Sequence, residues 1–573
     1  NGDTALHLAA RRKDVEMARI LIDYGANVDV QNGEGQTALH IAAAEGDEAM
    51  VKYFYTVRAS AAITDFQDRT PMHLAAENGH ASIIEILVDK YRASIYERTK
   101  DGSTLMHIAS LNGHAECATT LFRKGVYLHM PNKGGARSIH TAAKYGHVGI
   151  ISTLLNKGEK VDVPTNVGET PLHLGARNCH PQIVKHLIDF VLMKHGKEVL
   201  RNYLNFTNED AFINSKSRVG RTALHLAAMN GYSELVKFLI RDHNAVVDIL
   251  TLRKQTPLHL AAASGQMNVC KLLLELGANI DATDDVGQKP IHVAAQNNYS
   301  EVAKLFLQQH PNLVMATSKD GNTCAHIAAM QGSVKVIEEL MKFDRNGVIS
   351  TRNKLTDSTP LQLAAEGGHA DVVKVLVRAG ASCTDENKSG FTAVHLAAKN
   401  GHGQVLEVMR STNSLRVSSK KLGLTPLHVA AYYGQADTVR ELLINVPATV
   451  KSDSPSGTSL VPELGNESGL TPLHLAAYSG NENVVRLLLN SAGGYNPLHL
   501  ACFGGHVPIV GLLLSRSAEL LHSVDRHGKT GLHIAAMHGH YQMVEVLLGQ
   551  GSEINATDKN GWTPLHCTAK AGH

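Results

Sequence analysis

The hexapeptide Thr4-Ala5-Leu6-His7-Leu8-Ala9 returns at Thr37 to Ala42, at Thr70 to Ala75 and at Thr104 to Ala109, and its frame recurs as far as Thr563, mostly every 33 or 34 residues. Seventeen copies fill the 573-residue chain. A unit that short cannot bury its own apolar face, so it must stack on like units. The expected fold is an all-α solenoid of helix-turn-helix units, each followed by a β-turn finger, wound as one elongated superhelix whose core grows along an axis.

A single unit shows why. In Gly469-Leu470-Thr471-Pro472-Leu473-His474-Leu475-Ala476-Ala477 the threonine is placed to cap a helix, and proline takes the first turn, where no amide bond is lost. Seven copies carry this Thr-Pro pair, so the helix start recurs on schedule. The leucine and second alanine are expected to point inward, and the Ala-Ala pair keeps the helix thin enough for a neighbour to approach. Gly46, Gly79, Gly113 or Gly367 then ends the helix in the left-handed conformation. A second helix follows, as in Asp371 to Val377, with Val372, Val373, Leu376 and Val377 forming one apolar stripe. Beyond Gly380-Ala381 in that unit, and typified elsewhere by Asn279 to Gly287, comes a stretch rich in Asn, Asp, Gly and Thr that is expected to project as a finger. Thr-Pro-Leu-His-x-Ala-Ala, Gly-His, Val-Val-x-x-Leu-Leu and Gly-Ala-x-Ile/Val-Asn/Asp, in this order, resemble the ankyrin repeat over nearly the whole chain.

Three intervals between motif residues break the period: His173 to His225 is 52 residues, His428 to His474 is 46 and His474 to His499 is 25. Residues 1–189 read as ankyrin repeats with six copies of the motif, 190–210 as an irregular insertion or the remnant of lost repeats, and 211–451 as repeats again. Loss of whole units at Asp210/Ala211 is suggested because Asn205 to Asp210 and Ala211 to Lys216 both look like fingers, with no helix pair between them. Residues 452–468, rich in Ser, Pro and Gly, read as a flexible loop inserted in a finger, and 469–573 as repeats. A unit of 25 residues is too short for two helices and a finger, so residues are expected to be lacking near 491–494.

Sixteen of the 33 histidines share one slot of the repeat, and a catalytic residue is not needed sixteen times. The pairs Thr4/His7, Thr37/His40, Thr70/His73, Thr170/His173, Thr222/His225, Thr256/His259, Thr425/His428, Thr471/His474 and Thr563/His566 are expected to be structural, the imidazole and its capping threonine satisfying backbone groups at the helix start and finger. His80, His114, His147, His369, His402, His506 and His540, which follow the helix-ending glycine, are expected at the turn surface. There is no Cys-x-x-Cys, no His-Glu-x-x-His, no Walker-type loop and no Gly-x-Ser-x-Gly elbow, so no catalytic, metal-binding or cofactor-binding residue is assigned, and the chain reads as a non-enzyme. The seven cysteines are odd in number and scattered through helical patterns, as reduced, buried small hydrophobes would be.

Basic and acidic residues, 55 and 53, are interspersed, leaving no field that would mark a nucleic-acid binder. Such a surface suits protein partners. Trp562, the single tryptophan, is a candidate anchor for one, with packing against the neighbouring finger as the alternative. Lys144-Tyr145, Tyr432-Tyr433 and Tyr478 fall near the ends of first helices, on the concave surface expected of the array. No apolar run reaches the ~18 residues of a membrane span. The chain opens in the loop before a helix and stops between two helices, so it is expected to be a piece of a longer one.

Beyond the generic repeat, Gly287 to Tyr299, Lys354 to Leu363 and Tyr495 to His506 resemble the cytoplasmic array of the NOMPC (TRPN) family of transient-receptor-potential mechanotransduction channels. That resemblance implies a homotetramer on the cytoplasmic side of the plasma membrane, with long ankyrin helices linking a cation pore to microtubules as a gating spring. The irregularities at Asp210 and Ser491 depart from the family pattern. An ankyrin-type adaptor joining membrane proteins to a cytoskeleton is the alternative expectation.

Overall fold

The first helix of a repeat has seven residues and the second nine, as in Ala38–Ala44 and Glu48–Thr56. Neither persists alone in water; each is held by the buried face it shares with its neighbours. The computed structural model describes residues 2–193, 209–412, 414–444, 470–491, 497–525 and 527–573. It forms two units, Asn1–Asp285 and Val286–His573. Each is an all-α stack of ankyrin repeats, and among the described residues the only β pairing is an isolated bridge between Thr317 and Thr323.

Within the first unit, consecutive first helices pack on one another, from Ala5–Arg11 through Ala38–Ala44, Pro71–Glu77 and Leu105–Leu111, and the second helices form a parallel layer behind them. Ala42 and Ala43 are wholly buried between first helices, while Leu39, Met50, Val51 and Phe54 fill the space between layers. A buried leucine of this kind contributes roughly 1.5–3 kcal/mol, and the alanines set how closely the helices approach. The second unit repeats the arrangement, with Pro360–Glu366, Ala393–Asn400 and Pro426–Tyr432 stacked in turn.

The irregular intervals are stacked too. Pro171–Arg177 packs directly on Ala223–Met229 across the 52-residue interval, and Pro181–Met193 runs on as a longer second helix. Glu209–Ile213 is a helical turn, not the finger expected there, because Phe212 and Ile213 are apolar and fully buried; the finger starts after it. Most of the segment expected as insertion or remnant, 194–208, lies outside the described residues, as do the 452–468 loop and 492–496. The short 25-residue interval holds two helices, Pro472–Ser479 and Glu482–Ser491, and the place of its finger, 492–496, lies outside the described residues. In the repeat at Thr359 the left-handed residue is Gly368 (φ 79°); Gly367 caps the helix with φ −80°. Cys179 is exposed and Cys383 half-buried. Cys179 stands where other repeats have the turn glycine, at φ 59°, which turns it out of the helix pattern.

Candidate functional site

The motif histidine is the hub of each repeat. At Thr37, extended at φ −92° and ψ 168°, the backbone N–H donates to His40 Nδ1 at 3.1 Å, and the threonine hydroxyl lies 2.9 Å from the same nitrogen. The amide can only donate, so Nδ1 accepts and the ring proton sits on Nε2. Nε2 then donates to the carbonyl of Arg69, 3.1 Å away in the next finger. The same bridge runs from His7 to Gln36, His173 to Arg221, His225 to Gln255 and His428 to Leu470, at 2.8 to 3.1 Å. Thr4, Thr170, Thr222, Thr256, Thr425, Thr471 and Thr563 offer their amides to His7, His173, His225, His259, His428, His474 and His566 in the same way. Thr70 and His73 share this contact, but His73 Nε2 is buried without a well-formed bond, with the Glu97 carbonyl approaching it.

The cap works in both directions, the threonine hydroxyl accepting from the histidine backbone N–H and the imidazole from the threonine amide, with the second contact the shorter. The threonine hydroxyl reaches the backbone N–H of the histidine only at 3.4–3.5 Å in the repeats of Thr222, Thr256 and Thr563, whereas the imidazole closes on the threonine amide at 3.2 Å. Arg137 and Lys289 replace threonine at two repeats without loss of the contact, since the backbone supplies the donor. Burial pushes the imidazoles of His40, His140, His173, His225 and His326 down to about 4, against which the finger carbonyls pull upward.

The second histidine series lies partly exposed at the turns and also bonds one repeat to the one before it. His80 Nε2 donates to the Ala44 carbonyl at 3.0 Å, at the end of the preceding first helix, and His114, His147, His402 and His540 reach Glu77, Leu111, Glu366 and Phe503 likewise. The ring seats on the preceding turn glycine. At Gly46, with φ 69°, a Cβ would stand 2.5 Å from the His80 ring, so glycine is required there twice over. Gln266 and Gln435 make the clamp where histidine is missing. A third link joins finger to finger, as in Lys100 N–H to the Gln67 carbonyl at 2.9 Å and Lys354 N–H to the Asp320 carbonyl at 3.0 Å.

None of these imidazoles converges on another, and no group of three or more His, Cys, Asp or Glu side chains suited to a metal ion occurs among the described residues. Four residues after the motif histidine, at the end of the first helix, Lys144, Tyr432, Tyr478, Phe503 and Lys570 are exposed, and Lys399 and the Glu366 that follows Gln362 are half-exposed. Trp562 is half-buried; its carbonyl accepts from His533 Nε2 at 2.9 Å, and Lys570 Nζ sits 4.5 Å from its ring centroid. Sequence reasoning missed the Gly-His clamp, because each histidine meets the turn glycine of the preceding repeat about 34 residues away.

Repeats joined by such links, with variable side chains at the helix ends, define a helical-repeat array that binds proteins. The family described as "Ankyrin repeats (3 copies)" matches residues 1–65, 49–132, 125–198, 190–284, 291–387, 349–421, 379–454 and 457–523, and "Ankyrin repeats (many copies)" matches 532–573. The chain belongs to the ankyrin-repeat family. It is similar to the poly [ADP-ribose] polymerase tankyrase of Caenorhabditis elegans, 36% identical over 197 residues, which is 34% of this chain and 8% of that protein. It is also similar to human transient receptor potential cation channel subfamily A member 1, 27% over 206 residues, covering 30% of this chain and 18% of the channel. Chicken nuclear factor NF-kappa-B p105 subunit is 28% identical over 197 residues, 33% of this chain and 20% of that protein. The chain thus spans less than a quarter of the length of each of these relatives.

Proposed function

We propose that this chain is the cytoplasmic array of a mechanosensitive cation channel, acting as an elastic tether that transmits force between microtubules and the pore. The observation that carries the reading is the serial coupling of repeats: imidazole, Gly-His clamp and finger each bond one repeat to the next. A pull along such a stack loads its interfaces in series, so small rotations add while no single interface has to open. Likeness to a cation channel subunit over 30% of the chain supports the channel setting. In this reading the partners are microtubules and sister subunits of a homotetramer at the plasma membrane. No helix among the described residues is long and apolar enough to cross a membrane.

A second reading, an adaptor linking membrane proteins to the cytoskeleton, is favoured by the likeness to tankyrase and NF-kappa-B p105, which are not channels by name. Pulling single molecules of the chain separates the two. Reversible extension at low force before any repeat unravels is the tether's response; a stiff response ended by stepwise unfolding favours the adaptor. Co-sedimentation of residues 1–285 with microtubules tests the partner, and recovery of that half in the supernatant removes microtubules from the proposal.

A further inference from the structure

In the unit Val286–His573, four successive first helices end in aromatic rings: Tyr432 and Tyr433, then Tyr478, Phe503 and His538. The rings form one file. Centroids lie 5.1 Å apart at Tyr433–Tyr432, 6.3 Å at Tyr432–Tyr478, 5.7 Å at Tyr478–Phe503 and 4.4 Å at Phe503–His538. Tyr432, Tyr433, Tyr478 and Phe503 are each 38–45% exposed. Cohesion of the stack does not require them, because the same position is Glu366 and Lys399 in the two preceding repeats, which are clamped equally well. A contiguous row of wet aromatic faces is the mark of an interaction surface.

Its polar groups say what it would take. The hydroxyls of Tyr432, Tyr433 and Tyr478 make no hydrogen bond among the described residues. Lys399 Nζ stands 5.6 Å from the Tyr433 ring centroid at one end, held only by a 3.9 Å approach to Glu366. At the other end Lys529 Nζ contacts Met537 Sδ at 3.5 Å, and Lys570 covers Trp562; neither forms an ion pair among the described residues. The file is thus an apolar track bordered by donors and ammonium groups. Alternate side chains of an extended peptide recur about every 7 Å, close to the 5.7 and 6.3 Å steps between repeats. A single-stranded nucleic acid would need cations along the whole track, and here they stand only at its ends.

We infer that this file is a docking surface for an extended acidic segment of a partner protein. Aromatic or proline side chains of that segment seat on Tyr432, Tyr478 and Phe503, and its carboxylates meet the phenol hydroxyls and Lys399, Lys529 and Lys570. The surface goes beyond the tether reading and stands whether or not the array bears load.

Fluorescence anisotropy with the whole chain and a labelled peptide of repeating Glu-Phe-Glu-Pro tests it, alongside a Lys-Phe-Lys-Pro peptide and oligothymidylate. The acidic peptide is expected to bind roughly tenfold or more tightly than either control, and Tyr478→Ser with Phe503→Ser to weaken it by about tenfold. Tyr432→Phe with Tyr478→Phe keeps the rings and is expected to weaken it several-fold; it decides the matter if the serine variant loses its helical circular dichroism. Absence of acidic-peptide binding, equal affinity for the wild-type chain and a folded variant, or tighter binding of oligothymidylate overturns the inference.

Discussion

Replacing His225 by glutamine should make its repeat resistant to acid while leaving its bonds in place. His225 is fully buried and neutral, with burial as the main cause of a value near 4 against an ordinary 6.5. A folded-state value below the unfolded one means that the histidine's contribution is complete above 6.5, is lost as pH falls toward 4, and changes no further below. Within that window the unfolded chain binds a proton that the folded repeat refuses, at up to about 1.4 kcal/mol per pH unit. Between pH 7 and pH 5 the loss comes to roughly 2 kcal/mol for this residue alone. The chain already contains the control. Gln362 occupies the same slot, accepting the Thr359 amide at 2.8 Å through Oε1 and donating to the Asp385 and Phe391 carbonyls at 2.7 and 3.1 Å through Nε2. Repeat arrays open locally, so the assay is amide hydrogen exchange of Ala223–Met229 at the two pH values, corrected for intrinsic rates. The wild-type helix should lose about thirtyfold in protection between pH 7 and pH 5, and His225→Gln only a few-fold. Equal losses in the two proteins, or a wild-type helix indifferent to pH, would refute the argument that the imidazole is held neutral between two backbone groups.

Other outcomes follow from the same contacts. Gly46→Ala should destabilise its repeat by about 1–3 kcal/mol, through both the positive φ and the clash with His80, and exchange in Ala38–Ala44 and Ala81–Asp89 should report it. His114→Ala should cost about 1 kcal/mol through the lost bond to the Glu77 carbonyl, confined to the repeats on either side, whereas exchange changes several repeats away would contradict the nearest-neighbour picture. Ala43→Leu should cost about 1–3 kcal/mol by forcing first helices apart, measured by urea unfolding. A maleimide probe read by mass spectrometry should label exposed Cys179 in the native protein and spare Cys117, Cys270 and Cys502, which are buried and whose thiols burial pushes up to about 11, 12 and 12.

The helix pairs were legible because local rules dictate them: Thr-Pro starts, Ala-Ala interiors, glycine turns and the Val372/Val373/Leu376 stripe each act within a few residues. The clamp was not, since His80 finds Ala44 and Gly46 only after two repeats have docked, at separations where no propensity operates. Cys179 misled for the opposite reason: it looks like a helix residue but replaces a turn glycine. In the interval after His474 the two helices follow from the same local rules, Thr471-Pro472 starting one and Gly480 ending it. The tyrosines at the helix ends were visible in the sequence one by one, yet their alignment into a file depends on the register of stacking, which no local rule sets.

Where a repeat carries both histidines, the two series give it a hook reaching forward and another reaching back, as His140 and His147 do. A gene segment encoding one whole repeat can therefore be copied or deleted in register, because the incoming hooks meet the same carbonyls and glycines that the outgoing ones left. A cut that falls inside a repeat strands one hook of each kind. The arrangement is a grammar for lengthening and shortening the array, and it permits repeat number to drift among relatives while each joint stays chemically complete.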